Sequence, residues 1–152
     1  MSPDQHKIDL FTIGSSNHSA RSFFTLLKDN KVKKLIDIRI INNYQLAGFT
    51  KGTDLEYFCE AILDIPYIYR PDFAPTKDLL HRAQKGVTSW DEYIVEFMGL
   101  IKERDVISQV DRHFLDGAVL LCAEYEPAHC HRRLLAEYFQ NYIPGFEIIH
   151  LM

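Results

Sequence analysis

At 152 residues the chain has the size of one domain, large enough to bury most of its apolar surface without disulfides or a structural metal. Hydrophobic residues make up 47%, charged residues 25% and aromatic residues 12%, which is globular usage and excludes the fibrous and disordered classes. Lys and Arg number 17 against 21 Asp and Glu, so the net charge of −4 provides no global positive field to draw the chain onto nucleic acid or anionic lipid.

No apolar run approaches bilayer-spanning length, so no membrane partner is expected. The segment Met1 to Lys7 lacks the basic-then-apolar form of a secretory signal, so a cytoplasmic protein is expected. In that compartment an odd count of 3 cysteines argues for reduced thiols rather than a disulfide framework. Oligomeric state leaves no signature.

In chain order, Ile8 to Ile13 reads as a strand, followed by a helix from Ser19, its N-cap, to Asn30. Lys34 to Ile38 is the second strand, and Asn42 to Gly52 is irregular. Thr53-Asp54-Leu55-Glu56 is a capping-box pattern that opens a helix with Leu55, Phe58, Cys59, Ile62 and Leu63 at helical spacing. Pro66 to Tyr69 is a third strand. Arg70 to Thr88 is read as irregular, and its Lys77, His81, Arg82 and Lys85 form either a basic lid over a polyanion or a solvated surface turn. Ser89-Trp90-Asp91-Glu92 repeats the capping box ahead of Tyr93, Ile94, Phe97, Met98 and Ile101, and Val106 to Leu115 reads as another helix.

Ala118 to Ala123 is a continuous apolar strand. It leads into a helix expected to start with Pro127 near its first turn and to bury Leu134, Leu135, Tyr138, Phe139 and Tyr142. Pro144-Gly145 stops that helix before a last strand, Phe146 to Leu151. Apolar strands alternating with helices imply an α/β three-layer sandwich, a mostly parallel sheet of about five strands with helices on both faces, and one domain over residues 1–152.

The chemistry concentrates in Val119 to Arg133, where a buried strand ends on Cys122, passes an acidic turn and enters a helix carrying Cys130, His131 and Arg132. A helix N-terminus has unpaired N–H groups and the positive end of the dipole, so it stabilises thiolates and anions. Projected along the helix, Cys130 and His131 lie above Leu134 and Leu135 and face the sheet.

The same segment has the pattern Cys-x-Glu-x-x-Pro-x-x-Cys-His-Arg, here Cys122, Glu124, Pro127, Cys130, His131 and Arg132. With it go Thr12-Ile13-Gly14-Ser15-Ser16, Asp37-Ile38-Arg39, Phe73-Ala74-Pro75-Thr76-Lys77, Lys85-Gly86 and Ser89-Trp90-Asp91-Glu92-Tyr93. On these residues the chain resembles the Domain of Unknown Function 488 family almost end to end. Where many members resemble Gly-His-Ser, this chain has Gly14-Ser15-Ser16, so no histidine role carries over there, and His18 is near but not equivalent. The resemblance implies a compact α/β domain with a polar site of unassigned activity, and it names no cofactor.

Three chemistries fit these residues. In the first, Cys122 or Cys130 is a thiolate nucleophile, with its pKa lowered by the helix dipole, Arg132 and His131, and with Glu124 as acid or base; the enzyme would be a thiol-dependent transferase, hydrolase or redox protein. Nine residues separate Cys122 from Arg132, which does not match the phosphatase loop spacing of five. In the second, Cys122, Cys130 and a histidine hold a metal. No metal is expected, because adjacent Cys130 and His131 would diverge on a helix and no Cys-x-x-Cys exists; a redox pair across the turn is favoured over it. In the third, Arg39, Arg132 and the helix N-terminus bind an anion, fixed by Asp37 and Glu124, with Ser15 beside them.

The leading expectation is an enzyme acting on a small anionic or nucleotide-like substrate at the C-terminal edge of the sheet. The alternative is a non-catalytic nucleotide- or nucleic-acid-binding module in which Asp37, Arg39, Glu124, His131 and Arg132 form a structural ion-pair network. A protein-interaction domain is a third class. Phe11, Tyr44, Phe49, Tyr67, Tyr69, Phe73 and Tyr125 are expected at the rim, where aromatic residues stack on a ligand or, more often, complete the core.

Overall fold

A computed structural model describes residues 7–43, 48–124 and 126–152. Its sheet has five strands, β1 (Ile8–Gly14), β2 (Lys34–Asp37), β3 (Tyr67–Tyr69), β4 (Ala118–Cys122) and β5 (Phe146–Leu151), in the order β3-β2-β4-β1-β5. Every pairing is parallel. The central strands β1 and β4 are buried on both sides, as near-continuous apolar runs require.

Side chains alternate across this sheet into two cores. Leu10, Ile36, Leu120 and Cys122 point to the face covered by α3 (Lys77–Gln84), α4 (Trp90–Glu103), α5 (Arg112–Leu115) and α6 (His131–Tyr142). Phe11, Ile13, Leu35 and Leu121 point to the face covered by α1 (Ala20–Asp29) and α2 (Gly52–Phe58). The result is the three-layer α/β sandwich expected from the alternation of elements.

Several local expectations are corrected. Thr53 is not a cap: α2 begins at Gly52 with Lys51 as N-cap and no side-chain cap bond. Beyond Phe58 that helix widens into a π-helical turn, Cys59–Leu63, and the extra residue per turn rotates Ile62 outward to 49% exposure. Residues 70–88 are not irregular throughout, because Thr76 accepts a hydrogen bond from the Leu79 amide and caps α3. Val106–Gln109 is 3₁₀ and separate from α5, whose N-cap is Asp111, bonded by the Phe114 amide. Tyr142 lies past the packed face of α6 and is 58% exposed.

The start of α6 matters most. Pro127 is not in its first turn: the Cys130 amide donates to the Pro127 carbonyl, closing a turn, and the helix opens at His131. Cys130 is the N-cap, with extended backbone at φ −131° and ψ 142°.

The chain leaves β1 toward β2 through α1 on one face, and leaves β4 toward β5 through α6 on the other. Neighbouring strands whose connections depart to opposite faces form a topological switch point, and the crevice at their C-terminal ends is where open α/β sheets bind ligands. Gly14 and Cys122, paired in register, sit at that edge.

Candidate functional site

The site is built around a guanidinium with no exposure to solvent. Arg132 projects from the first turn of α6 down onto the sheet, where its Nε donates to Thr12 Oγ1 at 3.1 Å. Its Nη1 donates to Cys122 Sγ at 3.3 Å and to the backbone carbonyl of Glu124. Burial pulls its pKa down to about 10, against the opposing pull of Glu124 and Glu126, which still leaves a cation at neutral pH.

Gly14 is required by this arrangement. A Cβ there would lie 1.7 Å from the Glu124 carbonyl oxygen and 2.9 Å from Arg132 Nη1, so only a residue without a side chain lets the β4 loop cross over β1. The pairing of the two loops is extended by the Ser15 and Ser16 amides, which donate to the carbonyls of Cys122 and Ala123 at 2.8 and 3.1 Å.

Beside Arg132 stand two sulfurs and an imidazole. Cys122 and Cys130 are buried and paired across the turn as a disulfide, which corrects the expectation of reduced thiols and meets that of a redox pair. His131 Nε2 lies 2.8 Å from the Ile38 carbonyl, which can only accept, so Nε2 carries the proton in that bond. In the neutral ring Nδ1 is then the lone-pair nitrogen, and it faces Cys130 Sγ at 4.0 Å. Burial, reinforced by Arg132, lowers the His131 pKa to about 4 against the raising effect of the Ile38 bond and Asp37. The residue is a neutral base or ligand at physiological pH.

The expectation that adjacent Cys130 and His131 would diverge is corrected here. Only His131 is helical; the extended N-cap conformation of Cys130 brings its sulfur back toward Nδ1. Cys122, Cys130 and His131 offer ligand atoms that all lie within 4.8 Å of one another.

Asp37 and Arg39 do not join this group. Asp37 pairs in register with Leu121, so its side chain hangs from the α1/α2 face, opposite Cys122. Arg39 Nε and Nη2 grip both Asp37 carboxylate oxygens at 2.8 and 2.9 Å, Nη2 also donates to the Thr50 carbonyl at 2.6 Å, and the Tyr67 hydroxyl donates to Asp37 at 2.5 Å. The Glu124 side chain is exposed at the rim; its backbone, not its carboxylate, meets Arg132. Ser15 is buried at the sheet edge.

Other expected participants are placed elsewhere. Arg82, central to the basic segment, is bonded to Asp78, Thr88 and Glu96. Phe11 and Phe73 are core residues, Phe49 packs against Phe23 and Phe24, and Tyr67 serves Asp37. Tyr44 and Tyr125 lie outside the described residues. Cys59, the third cysteine, is buried on the opposite face, where burial and then Asp37 push its thiol up to about 12.

Two participants were not read from the sequence. Thr12 receives the Arg132 Nε bond and is 2.5 Å from His150 Nδ1, tying α6, β1 and β5 together. The signal was present: a threonine amid Leu10, Phe11 and Ile13 in a buried strand needs a polar partner.

An all-parallel, two-faced sheet with a thiol, imidazole and guanidinium at its switch point defines a doubly wound α/β protein with a built polar centre. Within that class the chain belongs to the family described as Domain of unknown function DUF488, whose family model matches residues 19–139. No curated protein matches the chain, and no solved structure does. Among the described residues, no helix is long and apolar enough to cross a membrane.

Proposed function

We propose that the protein is an enzyme that acts on a small anionic or nucleotide-like substrate through thiol chemistry at the β1/β4 switch point. The supporting observation is the buried Arg132 cation donating to Cys122 Sγ at 3.3 Å, because once the Cys122–Cys130 pair is reduced a cation held against sulfur in a water-poor site favours the thiolate over the thiol. Cys122 is the nucleophile. Cys130, at the positive end of the 12-residue helix α6, is the second reactive sulfur, with neutral His131 Nδ1 facing it at 4.0 Å. Glu124 supplies a carboxylate at the rim, and Arg132 with the α6 N-terminus provides the positive potential that draws an anion. Asp37 and Arg39 act as a staple between β2, β3 and the segment at Thr50.

Alkylation of the reduced, metal-stripped protein at pH 7 with iodoacetate and iodoacetamide, read by peptide mass spectrometry, tests this proposal. Cys122 or Cys130 is expected to react faster than denatured thiols and to prefer the anionic reagent, while Cys59 stays unmodified; R132Q reverses the preference. Site cysteines that react no faster than denatured ones overturn it.

A further inference from the structure

We propose, beyond the thiol chemistry above and independently of it, that Cys122, Cys130 and His131 form a binding site for a soft or borderline divalent cation of the zinc class. Two thiolates and an imidazole are the donor set that such ions select over magnesium or calcium. Their ligand atoms span no more than 4.8 Å, and all three residues are buried. A tetrahedral shell with metal–sulfur and metal–nitrogen bonds of about 2.3 and 2.0 Å has edges of roughly 3.5–3.8 Å, so small side-chain movements close the site.

Two further features are those of a prepared ligand set. A metal-bound histidine donates its other ring N–H to a carbonyl or carboxylate, which fixes the tautomer and orients the ring; His131 Nε2 meets the Ile38 carbonyl at 2.8 Å and turns Nδ1 toward the sulfurs. Cys122 and Cys130 are paired as a disulfide with Cα atoms 7.7 Å apart, at the wide end of what a disulfide spans, so on reduction the two sulfurs have room to take an ion between them. Arg132 Nη1, bonded to Cys122 Sγ, lies behind the ligand as an outer partner. Three protein ligands leave a fourth position for water or substrate, the arrangement of an open rather than a closed zinc site. With the ion bound, Cys122 and Cys130 are ligands and are shielded from electrophiles.

The test uses the full chain, reduced, stripped with a chelator and titrated with Co²⁺ under exclusion of oxygen, then with Zn²⁺ in competition. One Co²⁺ per chain with a near-ultraviolet sulfur-to-cobalt charge-transfer band is expected. C122S, C130S and H131A each weaken Co²⁺ binding by about 100-fold or more, and C59S leaves it unchanged. X-ray absorption on the zinc-loaded wild type, which needs no variant to fold, is expected to show two sulfur neighbours and at least one nitrogen. A wild type without the band, a band that persists in C122S and C130S, or a zinc shell of nitrogen and oxygen alone overturns the site. Rapid alkylation of metal-free protein that takes up no Co²⁺ sinks the metal site alone; Co²⁺ uptake by a protein whose metal-free cysteines are slow sinks the thiol enzyme alone.

Discussion

Arg132 is the residue on which the centre turns. Replacing it with Gln leaves the Thr12, Cys122 and Glu124 groups without their donor in a buried setting, and a loss of about 3 kcal/mol is expected in urea unfolding. R132K keeps the charge but not the fork that reaches Thr12, Cys122 and Glu124 together, so it restores only part of that loss. At Gly14 the obstacle is steric: G14A places a methyl where the Glu124 carbonyl lies and is expected to cost about 3 kcal/mol and to abolish preferential alkylation, both measurable on one preparation. His131 sets a pH dependence in the metal-free protein. Its folded pKa near 4 lies below the unfolded value near 6.5, so between those limits the unfolded chain binds the extra proton and stability falls as pH drops. The loss reaches about 3 kcal/mol at pH 4 and levels off below it. Urea midpoints across this window are expected to slope less steeply in H131Q than in wild type.

At the scale of elements, α6 shows both what the sequence disclosed and what it hid. The Cys-His-Arg run and the acidic turn before it were legible as a strand-to-helix site, and the packed face of Leu134, Leu135, Tyr138 and Phe139 was readable from spacing. The first helical residue was not. Pro127 fits a helix start by propensity, yet it forms a turn whose carbonyl takes the Cys130 amide, and the shift to His131 changes Cys130 from a helical neighbour of His131 into an extended cap. Convergence of the three ligand atoms depended on that shift. Cys130 makes no side-chain cap bond, whereas serine is a favoured N-cap, so C130S is expected to equal or exceed the stability of the reduced, metal-free wild type by up to about 1 kcal/mol in thermal melts. The π-helical turn at Cys59–Leu63 was hidden for a related reason, since helical spacing carries no mark of one inserted residue.

At the scale of the molecule, strand register decides which motif residues share a site. The alternation of strands and helices in the sequence implied the three layers, but not the order β3-β2-β4-β1-β5, because long-range pairing leaves no local trace. That order pairs Asp37 with Leu121, sending Asp37 and Arg39 to the face opposite Cys122. Two groups that look like one constellation in sequence are thereby placed on opposite faces of the sheet. D37N is expected to cost about 3–5 kcal/mol, because it leaves the buried Arg39 charge poorly compensated, and yet to leave Cys122 alkylation unchanged in the folded protein. Thiol ionisation reports on the proposed β1/β4 centre with no requirement for reagent access. The most direct measurement is a pH titration of ¹³Cβ-cysteine-labelled, reduced and metal-free protein by NMR. Cys122 is expected to ionise below the free-thiol value of about 8.5 and to move upward in R132Q; a Cys122 midpoint at or above 8.5 that ignores Arg132 would contradict the thiolate centre.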